Sequence, residues 1–365
     1  MRVKLEDVCE RGSSNLKQSD VIDKTGDYPI YGAAGYIGNV DFYHQDKSYV
    51  AVVKDGAGIG RTTLCPAKSS VIGTMQYLLP KENVLPEYLC YVVRYMHLEK
   101  YFTGATIPHI YFKDYKNEEF NLDSLEKQQE IVTILGKVES IISARQQELQ
   151  KLDELIKARF VEMFGDPATN PMGWVETTIG AECFYIKDGP HKSLPDIGKE
   201  NGGHPFISVR NIVNHTIDFS TARYISDEDY AEAIKKCHPE KGDMLYSKGG
   251  TTGIAKLIDI DDEFANWVHV AVLKFYKDKL NGIFFENMLN CDYCYNQSQK
   301  LTKGIANRDL VLSAMAQIKM YRPPMELQEQ FSTFVKQLDK SKVAVQKALE
   351  ETQLLFDSLM QQYFG

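Results

Sequence analysis

The spacing of hydrophobic residues changes along the chain and divides it into four segments. Residues 1–121 and 168–321 contain short apolar runs between turn-forming residues, which is typical of β-strands. Residues 122–167 and 322–365 repeat apolar residues every three or four positions, which is typical of an amphipathic helix. The spacing therefore predicts two strand-rich α+β domains, each followed by one long helix.

The long helices carry continuous apolar stripes and a clear stop signal. The first ends at Phe164-Gly165-Asp166-Pro167, where glycine can take the left-handed C-cap conformation and proline blocks continuation. About 40 helical residues would span roughly 60 Å. We expect the stripe residues to pack the helices together or to dock a partner: Leu135, Val138, Ile142, Leu149, Leu152 and Ile156, then Val335, Leu338, Val345, Leu349 and Phe356.

The two helical segments are copies of each other. Leu125 to Gly165 aligns without a gap to Met325 to Gly365, and nine of the 41 positions are identical. The second domain must connect Gly165 to Met325, and a compact domain cannot bridge about 60 Å, so an antiparallel pair of helices is favoured. We therefore predict two domains related by a pseudo-two-fold axis, separated by antiparallel helices.

The two globular segments repeat the same order of features. Each has a strand led by proline, a loop containing Lys and Gly, a helix and a Thr-Gly turn. In the first segment we predict strands at residues 49–53 and 71–79 and a helix at 86–102. In the second we predict strands at 205–209, 244–246 and 268–276.

Both Lys-Gly loops follow a strand and carry basic residues at their edges. Residues 54–61 read KDGAGIGR, and residues 248–256 read KGGTTGIAK. Neither loop matches a nucleotide-binding fingerprint. A plain β-turn and a DNA contact both stay open, because glycine allows close backbone approach and flanking cations suit phosphate oxygens. The candidate contacts are Lys54, Arg61, Lys248, Thr251, Thr252 and Lys256.

The later turns add side chains that can bond to bases. Residues 103–109 read TGATIPH, and residues 302–308 read TKGIANR. Histidine, asparagine and arginine can bond to base edges in a DNA groove, although each is equally compatible with a solvated loop. The candidates here are His109, Lys303, Asn307 and Arg308.

The charge of the chain limits how it could bind nucleic acid. The net charge is −8, and each of the four segments contributes between −1 and −3. No segment is a basic tail, so DNA contact would depend on locally clustered lysines and arginines, with partner subunits adding positive field.

Several classes of function lack support in the sequence. We find no Walker A loop and no Asn/Asp-Pro-Pro-Tyr/Phe methyltransferase motif. Cys291 and Cys294 form a single pair, for which core or incidental cysteines are favoured over a zinc site, so we predict no metal. The N-terminus is charged, the seven cysteines lack framework spacing and no apolar run approaches about 18 residues, which indicates a cytoplasmic protein without a membrane span.

The ordered repeats resemble the specificity subunit of Type I restriction-modification enzymes. The resemblance covers essentially the whole chain. It depends on the helix start at residues 126–131, EKQQEI, with its copy ELQEQF at 326–331, on the Phe-Gly closures and on GATIPH at 104–109. The second copy departs from the first, because Leu327 replaces Lys127 and the second turn lacks the sequence Thr-Ile-Pro-His.

The resemblance implies a DNA-binding subunit with two target-recognition domains, each reading one half of a split double-stranded DNA target. It implies helices that set the spacing and dock DNA adenine methyltransferase subunits, of which we expect two. Those partners would bind S-adenosylmethionine and flip the adenine, so this chain would need no catalytic residue or cofactor. A motor-nuclease subunit is a possible further partner. Two alternatives stay open: a related modification system without a motor-nuclease, and a coiled-coil scaffold without a DNA role.

Overall fold

The computed structural model describes residues 1–104, 108–305 and 307–365 and divides the chain into two compact units. Unit 1 comprises Met1–Glu148 with Val345–Gly365, and unit 2 comprises Leu149–Ala344. The sequence analysis predicted the long helices as segments separate from the two domains. In the structure each long helix contributes one end to unit 1 and the other end to unit 2.

The described residues of unit 1 form nine short strands, three short helices and parts of the two long helices. The strands are β1 (Arg2–Lys4), β2 (Cys9–Ser13), β3 (Tyr28–Gly32), β4 (Gly35–Val40), β5 (Tyr49–Val53), β6 (Thr62–Cys65), β7 (Ser70–Val71), β8 (Met75–Pro80) and β9 (Glu119–Asn121). The helices are α1 (Leu5–Val8), α2 (Pro86–Tyr95), α3 (Phe112–Tyr115) and the long helix α4 (Leu125–Phe164).

Unit 2 repeats this composition with two additional helices. The strands are β10 (Val175–Thr178), β11 (Cys183–Asp188), β12 (His204–Ile207), β13 (Arg223–Ile225), β14 (Met244–Ser247), β15 (Ala255–Leu257), β16 (Ala265–Asn266), β17 (Val270–Phe275) and β18 (Lys319–Arg322). The helices are α5 (Ile179–Glu182), α6 (Asp227–Lys236), α7 (Gly282–Asn290), α8 (Asp292–Leu301), α9 (Leu312–Met315) and the second long helix α10 (Met325–Phe364).

The sheets of the two units have the same topology. Each unit has a four-stranded sheet, in the order β2-β8-β5-β6 or β11-β17-β14-β15. Each also has a three-stranded sheet, β4-β3-β7 or β13-β12-β16, in which one strand pair is parallel. A two-stranded antiparallel ribbon, β1-β9 or β10-β18, precedes each long helix. The α+β class and the internal duplication predicted from the sequence are therefore confirmed.

The core of each unit contains the start of one long helix and the end of the other. In unit 1, Ile131 and Leu135 of α4 share a buried cluster with Phe356 and Phe364 of α10. In unit 2, Phe331 of α10 shares a buried cluster with Ile156, Phe160 and Phe164 of α4. Within each unit the helices are antiparallel, as the connectivity predicted.

A buried glutamine fixes the start of each long helix. The Gln128 side chain accepts a hydrogen bond from Leu85 N–H at 2.8 Å and donates to the Asn83 and Asp123 carbonyls. Gln328 repeats this set, since it accepts from Asn281 N–H at 2.9 Å and donates to the Lys279 and Pro323 carbonyls. Both side chains are fully buried. The glutamine shared by the two copies of the helix thus has a structural cause.

Two predicted elements in unit 1 are shorter than expected. The predicted strand at residues 71–79 is two strands in different sheets, because the chain turns through Gly73 between β7 and β8. A Cβ at Gly73 would lie 3.2 Å from the Ser14 carbonyl oxygen, so the turn packs tightly. The predicted helix at 86–102 ends with α2, since His97 adopts a left-handed φ of 51° before a 3-10 segment.

Candidate nucleic-acid interface

The Gly-rich loop of each unit connects two strands of its four-stranded sheet with the same backbone hydrogen bonds. In unit 1, Val53 N–H donates to the Arg61 carbonyl and Gly60 N–H donates to the Val53 carbonyl, both at 2.9 Å. In unit 2, Ser247 N–H donates to the Ile254 carbonyl at 2.8 Å, and Gly253 N–H donates to the Ser247 carbonyl at 3.0 Å. The two loops therefore have equivalent frames.

One glycine in each loop is required by both its conformation and its surroundings. Gly60 and Gly253 have φ values of +80° and +91°, in the left-handed region that favours glycine. A Cβ at Gly253 would lie 2.1 Å from Ser298 Oγ, and one at Gly60 would lie 2.7 Å from the Glu99 nitrogen. The loops consequently pack their backbones directly against the rest of the unit.

Each loop is attached to the later Thr-Gly turn. Gly56 N–H donates to the Pro108 carbonyl, and Gly250 N–H donates to the Arg308 carbonyl, both at 3.0 Å. The turns themselves close through paired main-chain hydrogen bonds of 2.8 to 2.9 Å, between Thr103 and His109 and between Lys303 and Asp309. The sequence placed these motifs in the same order, and the structure brings them together. Ala105–Ile107 of the first turn and Ala306 of the second lie outside the described residues.

In unit 1 the candidate side chains form a small group of charges beside the loop. The Lys54 side chain is partly exposed and its Nζ lies 3.6 Å from the Asp55 carboxylate. Asp55 Oδ1 is 2.7 Å from Nδ1 of His109, so this carboxylate orients the imidazole. Arg61 is exposed, and its Nη1 donates to the Ala33 carbonyl at 3.0 Å. Lys54 and Arg61 keep N–H donors directed at solvent, as a phosphate contact requires.

In unit 2 the two loop lysines are held inside the protein. The Lys248 side chain is 7% exposed and pairs with Asp309 at 2.8 Å and Asp188 at 3.6 Å. Although burial opposes ionisation of Asp188, the hydrogen bond from Lys236 and the charge of Lys248 keep the pKa of Asp188 below its usual value. Lys248 therefore fits a structural role better than the phosphate contact we predicted.

Of the remaining loop candidates of unit 2, two lie inside the protein and one is exposed. The Lys256 side chain is 12% exposed and pairs with Asp259 at 3.1 Å and Glu286 at 3.6 Å. Thr252 is buried, and its hydroxyl lies 2.9 Å from the Thr302 hydroxyl. Thr251 is exposed at the tip of the loop. Of these three, only Thr251 is placed for contact with a large ligand.

The Thr-Gly turn of unit 2, residues 302–308, carries exposed hydrogen-bond donors. Lys303 and Asn307 are exposed, and Arg308 is partly buried. Nη2 of Arg308 donates to Gln299 Oε1 at 2.5 Å, which holds the guanidinium in place. The cations that unit 2 presents to solvent beside its loop thus come from the turn, whereas unit 1 presents Lys54 and Arg61 of the loop itself.

A cleft of about 580 Å³ opens beside the unit 2 loop and contains residues that the sequence analysis missed. Arg210, Trp267 and His269 line it together with Gly249, Gly250 and the turn from Asn307 to Asp309. Among the described residues, the buried Trp267 Nε1 and His269 Nδ1 have no hydrogen-bond partner. An unsatisfied buried polar group costs about 1 to 3 kcal/mol, so these two atoms call for an explanation. No local motif marks these residues, because they come from four separate stretches.

Seven of the eleven predicted stripe residues of the long helices pack against the cores of the units. Leu135, Val138, Ile156, Val335 and Phe356 are buried, and Ile142 and Leu338 pack against the same clusters. Leu149, Leu152, Val345 and Leu349 are partly exposed. This face stabilises the fold. A different set of apolar side chains is exposed on the helices, and the sequence analysis did not select them: Ile134, Ile141, Leu155, Val161, Val343, Leu354 and Leu355.

The described ranges contain neither a membrane-spanning helix nor a metal-binding cluster of side chains. None of the helices described is long and apolar enough to cross a membrane. Residues 1–104, 108–305 and 307–365 contain no group of three or more histidine, cysteine or acidic side chains arranged to hold a metal ion.

The duplicated α+β architecture is that of Type I S subunits. Over its full length the chain is similar to the S subunit of the Type I restriction-modification system from M. genitalium, with a TM-score of 0.62, 15% identity and 96% of that chain covered. A chain from a structural study of complex assembly in the type I R-M system gives a TM-score of 0.54 at 15% identity, with 96% of it covered. These likenesses show the fold.

The sequence comparison identifies the family. The family model described as Type I restriction modification DNA specificity domain matches residues 1–154 and 173–353, and the chain belongs to this family. Two Methanocaldococcus jannaschii proteins are among its relatives. The MjaIX specificity subunit is 21% identical over 302 residues, covering 78% of this chain and 69% of the relative. The MjaVIII specificity subunit is 22% identical over 329 residues, covering 83% and 76%.

Proposed function

We propose that this chain directs a Type I modification complex to a bipartite DNA target, with each unit reading one half. The observation that carries the proposal is the repeated loop and turn. Both units fix a Gly-rich loop against a Thr-Gly turn with equivalent hydrogen bonds and present cations there. Such repetition suits a target with two separate halves.

Contact with DNA would combine phosphate and base interactions at these loops. Lys54, Arg61 and Lys303 would bind phosphates, since Arg61 and Lys303 are exposed and Lys54 is partly exposed on an otherwise acidic chain. His109 and Arg308 are held by Asp55 and Gln299, and such fixed side chains suit base edges. Non-catalytic recognition on this chain fits its lack of methyltransferase and nucleoside-triphosphate motifs.

The long helices would set the spacing between the half-sites and dock the methyltransferase subunits, of which we propose two. Ile134, Ile141 and Leu155 of α4 are 39 to 46% exposed and lie at multiples of seven residues, so they follow one face of the helix. An exposed apolar stripe of this kind is typical of protein contact surfaces. S-adenosylmethionine would bind to those partners, and a motor-nuclease subunit would be a further component of a restricting complex.

The test is to map methylated adenines in a host that carries this chain with its cognate methyltransferase. A bipartite motif with an unspecified spacer supports the proposal. A continuous motif contradicts recognition by two units. Absence of methylation together with no shift of pooled random duplexes would favour a scaffold without a DNA role. Restriction of unmethylated DNA distinguishes a full restriction system from a modification system without a motor-nuclease.

A further inference from the structure

We infer that the cleft of unit 2 reads a guanine in the half-site bound by that unit, and that Arg308 is the residue that selects it. The inference rests on the proposed function and names the base class that this site would take. The residues that line the cleft include Arg210, Trp267, His269 and Arg308.

Hydrogen-bond chemistry of the cleft favours a ligand rich in acceptors. Arg308 uses one guanidinium N–H for Gln299, and Arg210 uses one for the Thr221 carbonyl at 2.5 Å. A guanidinium carries five N–H donors and no acceptor, so each arginine has donors left for a ligand. The Asp309 carboxylate, which also lines the cleft, is already bound by Lys248 at 2.8 Å.

Guanine matches this donor excess better than the other bases. Its major-groove edge presents two neighbouring acceptors, N7 and O6, which an arginine fork can bind together. Adenine and cytosine each present an amino donor there, and thymine combines one acceptor with a methyl group. The Arg308 fork therefore gains two neighbouring hydrogen bonds on one base edge only from guanine.

The cleft is formed by residues that fit one another. His269 packs against the loop at Gly249, where a Cβ would lie 1.9 Å from the imidazole Nδ1. In unit 1 the equivalent loop position is Asp55, and the residue that accepts its N–H is Thr74 rather than His269. Pro108 takes the place of Arg308 in the hydrogen bond from the loop glycine. The arginine and the space for the imidazole thus occur together in unit 2.

Arg308 is also pre-oriented, which a specificity-determining side chain requires. Gln299 holds the guanidinium from one side, and the Gln299 amide donates in turn to the Thr252 carbonyl at 2.9 Å. Because Thr252 belongs to the Gly-rich loop, the loop, the helix α8 and the turn position one guanidinium together. A side chain fixed in this way loses little conformational freedom on binding.

The experiment uses the complete modification complex and its own methylation motif. Each guanine of the motif is replaced in turn by 7-deazaguanine, which lacks the N7 acceptor, and duplex binding is measured by fluorescence anisotropy. We expect one guanine, in one half only, at which the replacement weakens wild-type binding by about tenfold. The Arg308→Gln complex should bind the normal and modified duplexes equally, because the group that contacts N7 is missing.

Lys303→Gln is the matched control, since it removes one positive charge from the same turn outside the cleft lining. It should weaken binding to all duplexes alike and keep the sensitivity to 7-deazaguanine. Arg210→Gln provides a second cleft variant in case Arg308→Gln fails to fold, which thermal unfolding reports directly. If 7-deazaguanine weakens duplex binding equally in the wild type and in both arginine variants, the inference is wrong. A wild-type motif without two halves would instead remove the proposed function itself.

Discussion

The loops of the two units share the same anchoring hydrogen bonds but carry different side chains. The N–H of Lys54 donates to the Thr74 carbonyl, and that of Lys248 donates to the His269 carbonyl. The same frame thus holds a partly exposed lysine in unit 1 and an interior one in unit 2. Because main-chain hydrogen bonds and two left-handed glycines fix each loop, the side chains at its surface can differ without changing the fold. Recognition and folding therefore depend on different atoms of the same loop.

The largest expected effect tests whether the two units are built equivalently. Replacing Gln128 or Gln328 by leucine leaves buried backbone groups without partners, and each variant should lose about 4 kcal/mol of unfolding free energy. Chemical denaturation of both variants measures this loss. Gln129→Leu is the control, because Gln129 is exposed next to Gln128. A loss in only one of the two units would break the structural equivalence.

A somewhat smaller effect should separate the two loop lysines. Lys248→Met leaves the carboxylates of Asp188 and Asp309 without this cation and should destabilise the protein by about 3 kcal/mol. Lys54→Met should cost less than about 1 kcal/mol, since its pair is partly exposed. The midpoints of urea unfolding give both values. Equal costs would mean that Lys248 is no more structural than Lys54.

The stability of unit 2 should also depend on pH through the buried carboxyl of Glu286. Burial raises the pKa of Glu286 from 4.5 to about 7, against the opposing effect of Lys256. The folded state therefore favours the neutral carboxyl. The contribution of Glu286 to the stability of unit 2 should be largest below pH 4.5. It should fall as the pH rises to about 7 and then stay level.

The expected decrease is at most about 3 kcal/mol. Glu286→Gln should remove it while keeping an acceptor for Leu257 N–H. Hydrogen exchange of unit 2 amides at pH 5 and pH 8 measures the change, with exposed Glu329→Gln as the control. A wild-type pH response that Glu286→Gln leaves intact would assign it to another group.

The smallest expected effect concerns the charge of the unit 1 loop. Arg61→Gln should weaken DNA binding by a few-fold on every sequence and reduce the dependence of log affinity on log salt concentration by about one unit. Titrations at several salt concentrations measure the slope. Lys256→Gln is the comparison, because Lys256 is paired internally and should leave the slope unchanged. A larger change of the salt slope in Lys256→Gln than in Arg61→Gln would mean that the DNA contacts other surfaces.

The sequence predicted the helices more closely than the loops. The long helices lie within the predicted segments because periodicity and the glycine-proline stop are local signals. The pairing of Lys248 with Asp188 and the cleft around Trp267 depend on residues far apart in sequence, so no local pattern could show them. The switch of sheets at Gly73 was missed for the same reason. Which charged residues contact DNA stays a prediction.

The shared long helices also determine when each unit can finish folding during synthesis. Unit 2 is one continuous stretch of chain, so its core can close once residue 344 has left the ribosome. The core of unit 1 includes Phe356, Met360 and Phe364. Phe356 and Phe364 contact Tyr91 and Tyr88 of α2, which are translated more than 200 residues earlier. The N-terminal unit is therefore completed last. Until then Tyr88 and Leu135 lack part of their packing, and a nascent chain depends on chaperones longest at its first-made end.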